Sequence, residues 1–369
     1  MQSSITRLAG LGLAAGLALT SVAACGSSNS SSAGGASGSS SAGGAKASGK
    51  KIALLLPESK TTRYESLDRP LFEAAIKAQC PDCTVIYSNA DQDAAKQQQQ
   101  AESALTQGAD VLVLDPVDSK AAASIANSAK GSKVPVVAYD RFISGSPVDY
   151  YVSFDNEKVG QLQGQSLVDL MKKAGKSSGK IVMINGSPTD NNAGQFKKGA
   201  HSVLDKSGYT LAGEYDTPDW SPDKAQQWME SQLTNVKSGL TGVYAANDGT
   251  AGGAIAALKG GGVKPLPPVT GQDAELAAIQ RILVGDQAMT VYKAIKPEAE
   301  DAAKAAIALA SGQKPEAKTT YQNIPSTLLV PVAVTKDNVK DTVVKDGLYK
   351  TSDICTGEVA KACAAAGIS

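Results

Sequence analysis

Histidine is nearly absent from this chain, with His201 alone among 369 residues. A metal site rich in imidazole is excluded, as is a nucleophilic triad built around any other histidine. Neither sign of charge is in excess, because 36 Lys and Arg face 36 Asp and Glu. With no basic cluster either, nucleic acid is not an expected partner. Aromatic residues are scarce, with two Trp and four Phe, so a tryptophan placed outside a helix carries weight. Long apolar runs are also missing. The longest, residues 8–19, is too short and too rich in glycine for a membrane span.

That run belongs to an address. It follows Arg7 and precedes Val22-Ala23-Ala24-Cys25, so residues 1–25 read as a secretory signal peptide. The last four residues resemble the bacterial lipobox, in which Cys25 would receive the lipid and become the mature N-terminus; plain signal cleavage beside an incidental cysteine is the alternative. Residues 26–50 are mostly Ser, Gly and Ala, a composition that buries no core and serves as a flexible tether. The expectation is an exported protein, lipid-anchored at the outer face of the cytoplasmic membrane and not spanning it. Gly44 to Lys50 imitates a phosphate-binding loop. Lys51 stands where the hydroxyl residue belongs, and the segment precedes a strand, so it is set aside.

From Lys51 onward strands and helices alternate. Residues 52–56, 84–87, 111–114 and 134–138 are strand-like, with helices over 67–79, 94–107 and 119–130. Recurrence at about 25 residues implies right-handed βαβ crossovers and a parallel sheet. The pattern then restarts, with strands at 181–184, 211–215, 243–246 and 269–271 and helices over 192–206, 222–236, 249–259 and 274–284. The expected fold is α/β, two doubly wound parallel-sheet lobes with the binding site in the cleft between them.

The centre of that site is placed at residues 134–141, where an apolar run ends abruptly in Asp140 and Arg141. The carboxyl edge of a parallel sheet is where α/β folds put ligands. A guanidinium beside a carboxylate offers donors and acceptors together, which suits a ligand covered in hydroxyls. Taken alone, the pair is equally an ion pair holding a loop. Other strand ends add Lys60 and Arg63, then Asp190, Asn192, Trp220, Asn247, Asp273 and Lys293. Each also has a structural reading as a cap or turn residue, but amides, carboxylates and cations recur at one edge of both sheets. Trp220 precedes Ser221-Pro222-Asp223, a helix start, and would offer a flat apolar face to a sugar ring. Trp228, inside the helix, is the core candidate.

The motifs Ala138-Tyr139-Asp140-Arg141, Ser153-Phe154-Asp155-Asn156, Thr189-Asp190-Asn191-Asn192, Asn247-Asp248-Gly249-Thr250, Gly271-Gln272-Asp273-Ala274 and Thr290-Val291-Tyr292-Lys293 resemble the type I periplasmic sugar-binding proteins of ATP-binding-cassette (ABC) importers, the D-xylose-binding members above all. The resemblance implies a sugar held between two lobes joined by a three-stranded hinge. The first lobe would be 51–155 plus about 290–326, the second 156–289 plus about 327–350, and 351–369 a tail. It implies that Asp140 and Arg141 bind hydroxyls from the first lobe with Lys60 and Arg63 beside them. Asp190, Asn192, Asn247 and Asp273 would bind from the second, Trp220 would stack on the ring and Lys293 would reach in near a crossing. The match around residues 60–69 is loose, with an apparent insertion.

The implied partners are a monosaccharide, D-xylose first, and an ABC permease, with a monomeric protein and no cofactor or metal. A multi-sugar receptor for glucose, galactose and arabinose, also feeding a chemosensory or kinase partner, is the alternative. An enzyme reading would use Asp140 and Asp273 as acid and base of a glycosidase. Arg141 beside Asp140 disfavours it, because a neighbouring cation keeps a carboxylate ionised. Cys80 and Cys83 are assigned to a structural disulfide rather than a redox pair, since they end a helix instead of opening one. Cys355 and Cys363 are assigned to a second.

Overall fold

The computed structural model describes residues 49–368. The expectations for the signal peptide, for Cys25 and for nearly all of the tether lie outside the described residues. In chain order the elements are β1 (Lys51–Leu56), α1 (Arg69–Gln79), β2 (Thr84–Asn89), α2 (Ala94–Thr106), β3 (Val111–Leu114), α3 (Ala123–Gly131), β4 (Val136–Tyr139) and β5 (Tyr150–Phe154). There follow α4 (Asn156–Lys173), β6 (Lys180–Asn185), α5 (Asn191–Leu204), β7 (Thr210–Asp216), α6 (Pro222–Val236), β8 (Leu240–Ala245), α7 (Asp248–Gly260), α8 (Leu276–Val284) and β9 (Met289–Tyr292). The chain ends through α9 (Ile295–Ala310), β10 (Thr319–Tyr321), β11 (Ile324–Leu329), β12 (Val332–Thr335), α10 (Thr351–Ile354) and α11 (Val359–Ala365).

The first lobe is built on a seven-stranded sheet ordered β10-β11-β5-β4-β3-β1-β2. All neighbours are parallel except β10 and β11. Successive side chains of a strand face opposite ways, and here both faces are covered. Ile52, Leu54 and Leu56 pack with α1 and α9, whereas Ala53 and Leu55 pack beneath α2 and α3. This explains the unbroken apolar run in β1; each fully buried Leu or Ile contributes about 1.5–3 kcal/mol.

The second lobe repeats the plan with β7-β6-β8. Ile181 and Met183 face one cluster, Val182 and Ile184 the other. Single parallel bridges, Val243 to Val269 and Gln272 to Val291, extend the sheet to the antiparallel pair β9 and β12. The strand expected at 269–271 bonds to both β8 and β9, but its ladder is broken into single bridges. The Thr270 hydroxyl takes the Ala245 N–H at 2.9 Å, and positive φ at Asp273 and Ala274 turns the chain away. The same turn delays the helix expected from 274 until Leu276.

The chain crosses between lobes after β5, after β9 and after β11. β9 pairs with β12, and β11 follows β5 as far as Leu329. The later crossings thus fall at 293–294 and 330–331, beyond the boundaries near 290 and 327 expected from sequence, because the hydrogen-bonded ladders run on. Ile354, Cys363 and Ile368 pack with Ile279, Ile282 and Leu283, so residues 351–368 join the second lobe's core instead of forming a separate tail. Cys80–Cys83 and Cys355–Cys363 are disulfides. Helices α4 and α5 touch closely: a Cβ on Gly160 would lie 1.9 Å from the Phe196 carbonyl oxygen. That approach seats Phe196 where it meets the cleft.

Candidate ligand-binding site

In the first sheet β1 lies between β2 and β3, and in the second β6 lies between β7 and β8. These are points where strand order reverses, and the crevice at such points is the natural ligand site. The cavity there is lined from the first lobe by Thr61, Tyr64, Asp140 and Arg141. The second lobe and the crossing supply Asp190, Asn192, Phe196, Trp220, Asn247, Gln272, Asp273 and Lys293. The non-atom space among these side chains, its open mouth included, is about 230 Å³.

Asp140 ends β4 with φ of 51°, a left-handed conformation unusual for a residue with a side chain. Its carbonyl oxygen accepts from Ser153 Oγ at 2.6 Å, Asn192 Nδ2 at 3.0 Å and Tyr151 Oη at 3.3 Å, which holds the turn. Its carboxylate accepts from Lys293 Nζ and Tyr64 Oη, both at 3.2 Å, and lies 3.5 Å from Arg63. Burial would raise its pKa, but Arg63, Lys293 and Arg141 hold it below the ordinary carboxylate range. An acid held so low donates no proton at neutral pH, which removes it as the acid of a glycosidase.

Two guanidiniums flank the Tyr64 ring, Arg63 at 5.3 Å and Arg141 at 5.4 Å from its centroid. Arg63 is tied to Asp68 by Nε at 2.8 Å and Nη2 at 2.6 Å, and to Glu298 at 2.7 Å. Asp68 also accepts from the Tyr139 hydroxyl. Burial would lower the Arg63 pKa; Asp140, Asp68 and Glu298 reverse that and raise it. Arg63 therefore stands behind the cavity wall, touching Asp140 and Asp273 at 3.5 Å. Arg141 is held more loosely, 3.6 Å from Glu58, 3.6 Å from Asp115 and 3.1 Å from Asp190. Neither carboxylate oxygen of Asp115 has a hydrogen bond among the described residues, and burial pushes its pKa well up.

From the second lobe, Asp190 caps α5 through the Asn192 N–H and accepts from Trp220 Nε1 at 3.1 Å. The Trp220 ring lies over Gly186, where a Cβ would come within 2.0 Å of it. Asn247 lines the cavity while capping α7 with Thr250. Asp273, with φ of 94°, lies 3.4 Å from Lys293 and accepts from Gln272 Nε2. Of the sequence-derived residues two do not line the cavity: Arg63, buried behind its wall, and Lys60, which is exposed. The buried Glu58 carboxylate accepts the N–H groups of Lys60 and Thr61, and the resulting turn brings Thr61 into the cavity, not Lys60.

The lobes are closed on one another. Besides Arg141–Asp190 and Asn192–Asp140, the Thr62 N–H meets Glu275 at 3.2 Å and the Ser119 N–H meets the Thr189 carbonyl at 3.0 Å. A periplasmic binding protein domain matches residues 52–314. The chain belongs to the periplasmic binding proteins. It has the type I fold of that family. This binding protein is 39% identical over 312 residues to the D-xylose-binding periplasmic protein of Escherichia coli K12, covering 82% of this chain and 92% of that one. It is 37% identical over 289 residues to the multiple sugar-binding periplasmic receptor ChvE of Rhizobium radiobacter, covering 72% and 81%. A carbohydrate transporter solute-binding protein from Chloroflexus aurantiacus, solved with D-glucose, superposes with a TM-score of 0.75 at 31% identity, covering 82% and 98%.

Thr61, Tyr64, Phe196 and Gln272 of this binding protein also line the cavity, beyond the residues expected from sequence. Phe196 was open to discovery, since it lies four residues after Asn192 on the same helical face. Gln272 was hidden, because neighbours in an extended chain point opposite ways and only the left-handed Asp273 brings both side chains to one cavity.

Proposed function

We propose that the chain is the extracytoplasmic sugar-binding component of an ABC importer, capturing a monosaccharide, D-xylose first, by closure of its lobes and delivering it to a permease. The observation that carries this reading is a small cavity between the closed lobes in which Arg141, Asp140 and Lys293 meet Asp190, Asn192, Asn247 and Asp273 beside Trp220 and Phe196. Charged groups and amides at the edges match hydroxyls, and aromatic faces match the C–H surface of a ring. A pentose has about ten heavy atoms, and small ligands gain at most about 1.5 kcal/mol per atom. Hydrogen bonds to charged groups contribute about 1.5–3 kcal/mol each. Micromolar binding, about 8 kcal/mol, therefore needs both lobes at once. A sugar that bridges them favours the closed state for that reason.

The relatives are binding proteins rather than enzymes. The 39% identity to a D-xylose-binding protein supports xylose as first ligand, while the 37% identity to a multiple-sugar receptor supports a broader specificity as second reading. Calorimetric titration with D-xylose, glucose, galactose, arabinose and ribose separates them. Micromolar binding of xylose alone is the expected result; a hexose preference would move the chain to the second reading. Anchoring through Cys25 is part of the proposal. Metabolic labelling with a fatty acid should mark the wild type and leave Cys25→Ala unlabelled, and a labelled variant would refute it.

A further inference from the structure

We propose that Gln272 is a specificity-determining contact, its side-chain Oε1 accepting a hydroxyl hydrogen from the bound sugar. This rests on the sugar-binding reading above and adds a requirement to it: one position of the ligand must carry a donor. The side chain is 3% exposed and lines the cavity. Its Nε2 donates to Asp273 Oδ2 at 3.0 Å. The carboxylate decides which end of the amide faces it, because the opposite orientation would set oxygen against oxygen.

The backbone is pinned as well. Gln272 bridges to Val291, and its carbonyl oxygen accepts the Asp248 N–H at 3.0 Å. With the nitrogen engaged and the main chain held, Oε1 is buried and has no hydrogen-bond partner among the described residues. Buried acceptors in native proteins find donors. Of the cations lining the cavity, Lys293 is committed to Asp140 and Asp273, and Arg141 is ringed by Glu58, Asp115 and Asp190. A hydroxyl of the bound sugar is then the donor that meets Gln272 Oε1. Asn192 repeats the pattern, its Nδ2 donating to the Asp140 carbonyl while its Oδ1 has no partner. Two amides of one lobe thus present acceptors to the same space. A site built to accept from a hydroxyl rejects the analogue that lacks it, because the acceptor is then left buried and unpaired.

The test is a cycle of binding measurements on the full-length protein. D-xylose and its 2-, 3- and 4-deoxy forms are titrated into the wild type and into Gln272→Met, which keeps the length of the side chain but not its amide. Gln272→Met should weaken D-xylose binding about tenfold, and for one deoxy sugar the two proteins should bind equally. Equal weakening of all four sugars would mean that Gln272 acts only by orienting Asp273, and no weakening would mean no contact; either overturns the inference. If thermal melting shows Gln272→Met unfolded, the same cycle is read on Gln272→Ala. A wild type that binds no aldose would overturn the sugar-binding reading as well, so the two failures are distinguishable.

Discussion

Arg63 and Arg141 are two buried guanidiniums on either side of one tyrosine ring, and the chain holds them in opposite ways. Arg63 has a two-bond clamp from Asp68 and a third bond from Glu298. Arg141 donates one long bond, to the Pro116 carbonyl at 3.3 Å, and its Nε has no hydrogen bond among the described residues although three carboxylates surround it. A cation whose donors are spent is a structural post. One whose donors are free is available to a ligand. Arg63 therefore fixes the position of the Asp140 and Asp273 carboxylates, and we propose Arg141 as the guanidinium that addresses the sugar.

The sharpest way to break this contrast is Arg63→Ala. It leaves Asp68 and Glu298 buried without their cation, and removing one member of such a set costs about 3–5 kcal/mol, to be read in denaturant melts. Arg141→Ala should show the reverse division. Binding of D-xylose should weaken about 50-fold in calorimetry, with a smaller loss of stability, because only the long bond to the Pro116 carbonyl goes with the side chain. Similar stability losses in both variants would end the distinction.

Two buried acidic groups, Asp248 and Glu275, have no salt bridge among the described residues. Burial, chiefly, pushes Asp248 up to about 7 and Glu275 up to about 8, and Glu275 accepts the Thr62 N–H of the opposite lobe. Between the unfolded values near about 4 and these folded values the native state binds more protons than the unfolded one. Stability is thus highest below about pH 4 as far as these two groups decide it, and it falls as pH rises toward 8, by on the order of a few kcal/mol. Asp140, held low, keeps its charge and its ion pairs throughout that window. Denaturant melts from pH 5 to 8 should show the decline, and Glu275→Gln should flatten it. The smallest effect is expected at Lys60. Lys60→Ala should leave sugar affinity and stability within about 0.5 kcal/mol, as exposed sites usually do, and a tenfold loss of affinity would return it to the site.

The fold was legible because its central strands are buried on both faces. Apolar runs such as 52–56 and 111–114 leave little else to be, and helices spaced between them dictate parallel crossovers. The bridges at 269 and 272, the helix start after Ala274 and the later crossings were not legible. They depend on left-handed residues and on ladders whose length no local pattern marks. The site followed a similar division. Charged and amide residues at strand ends stood out against apolar strands, and the family resemblance gave them roles. Whether a cation faces the cavity or backs it depends on partners far apart in sequence, as Glu298 is from Arg63. The Asp140 turn, held by Ser153, Tyr151 and Asn192, is likewise written in contacts between segments.

We propose that the charges at the end of β4 hold a monosaccharide between two closed lobes. The most direct test is calorimetric titration of D-xylose into the wild type and Asp140→Ala side by side, with thermal melts to confirm that both are folded. Micromolar binding by the wild type and at least tenfold weaker binding by the variant is the predicted result. Equal affinity in the two proteins would contradict the account and return Asp140 to a purely structural ion pair.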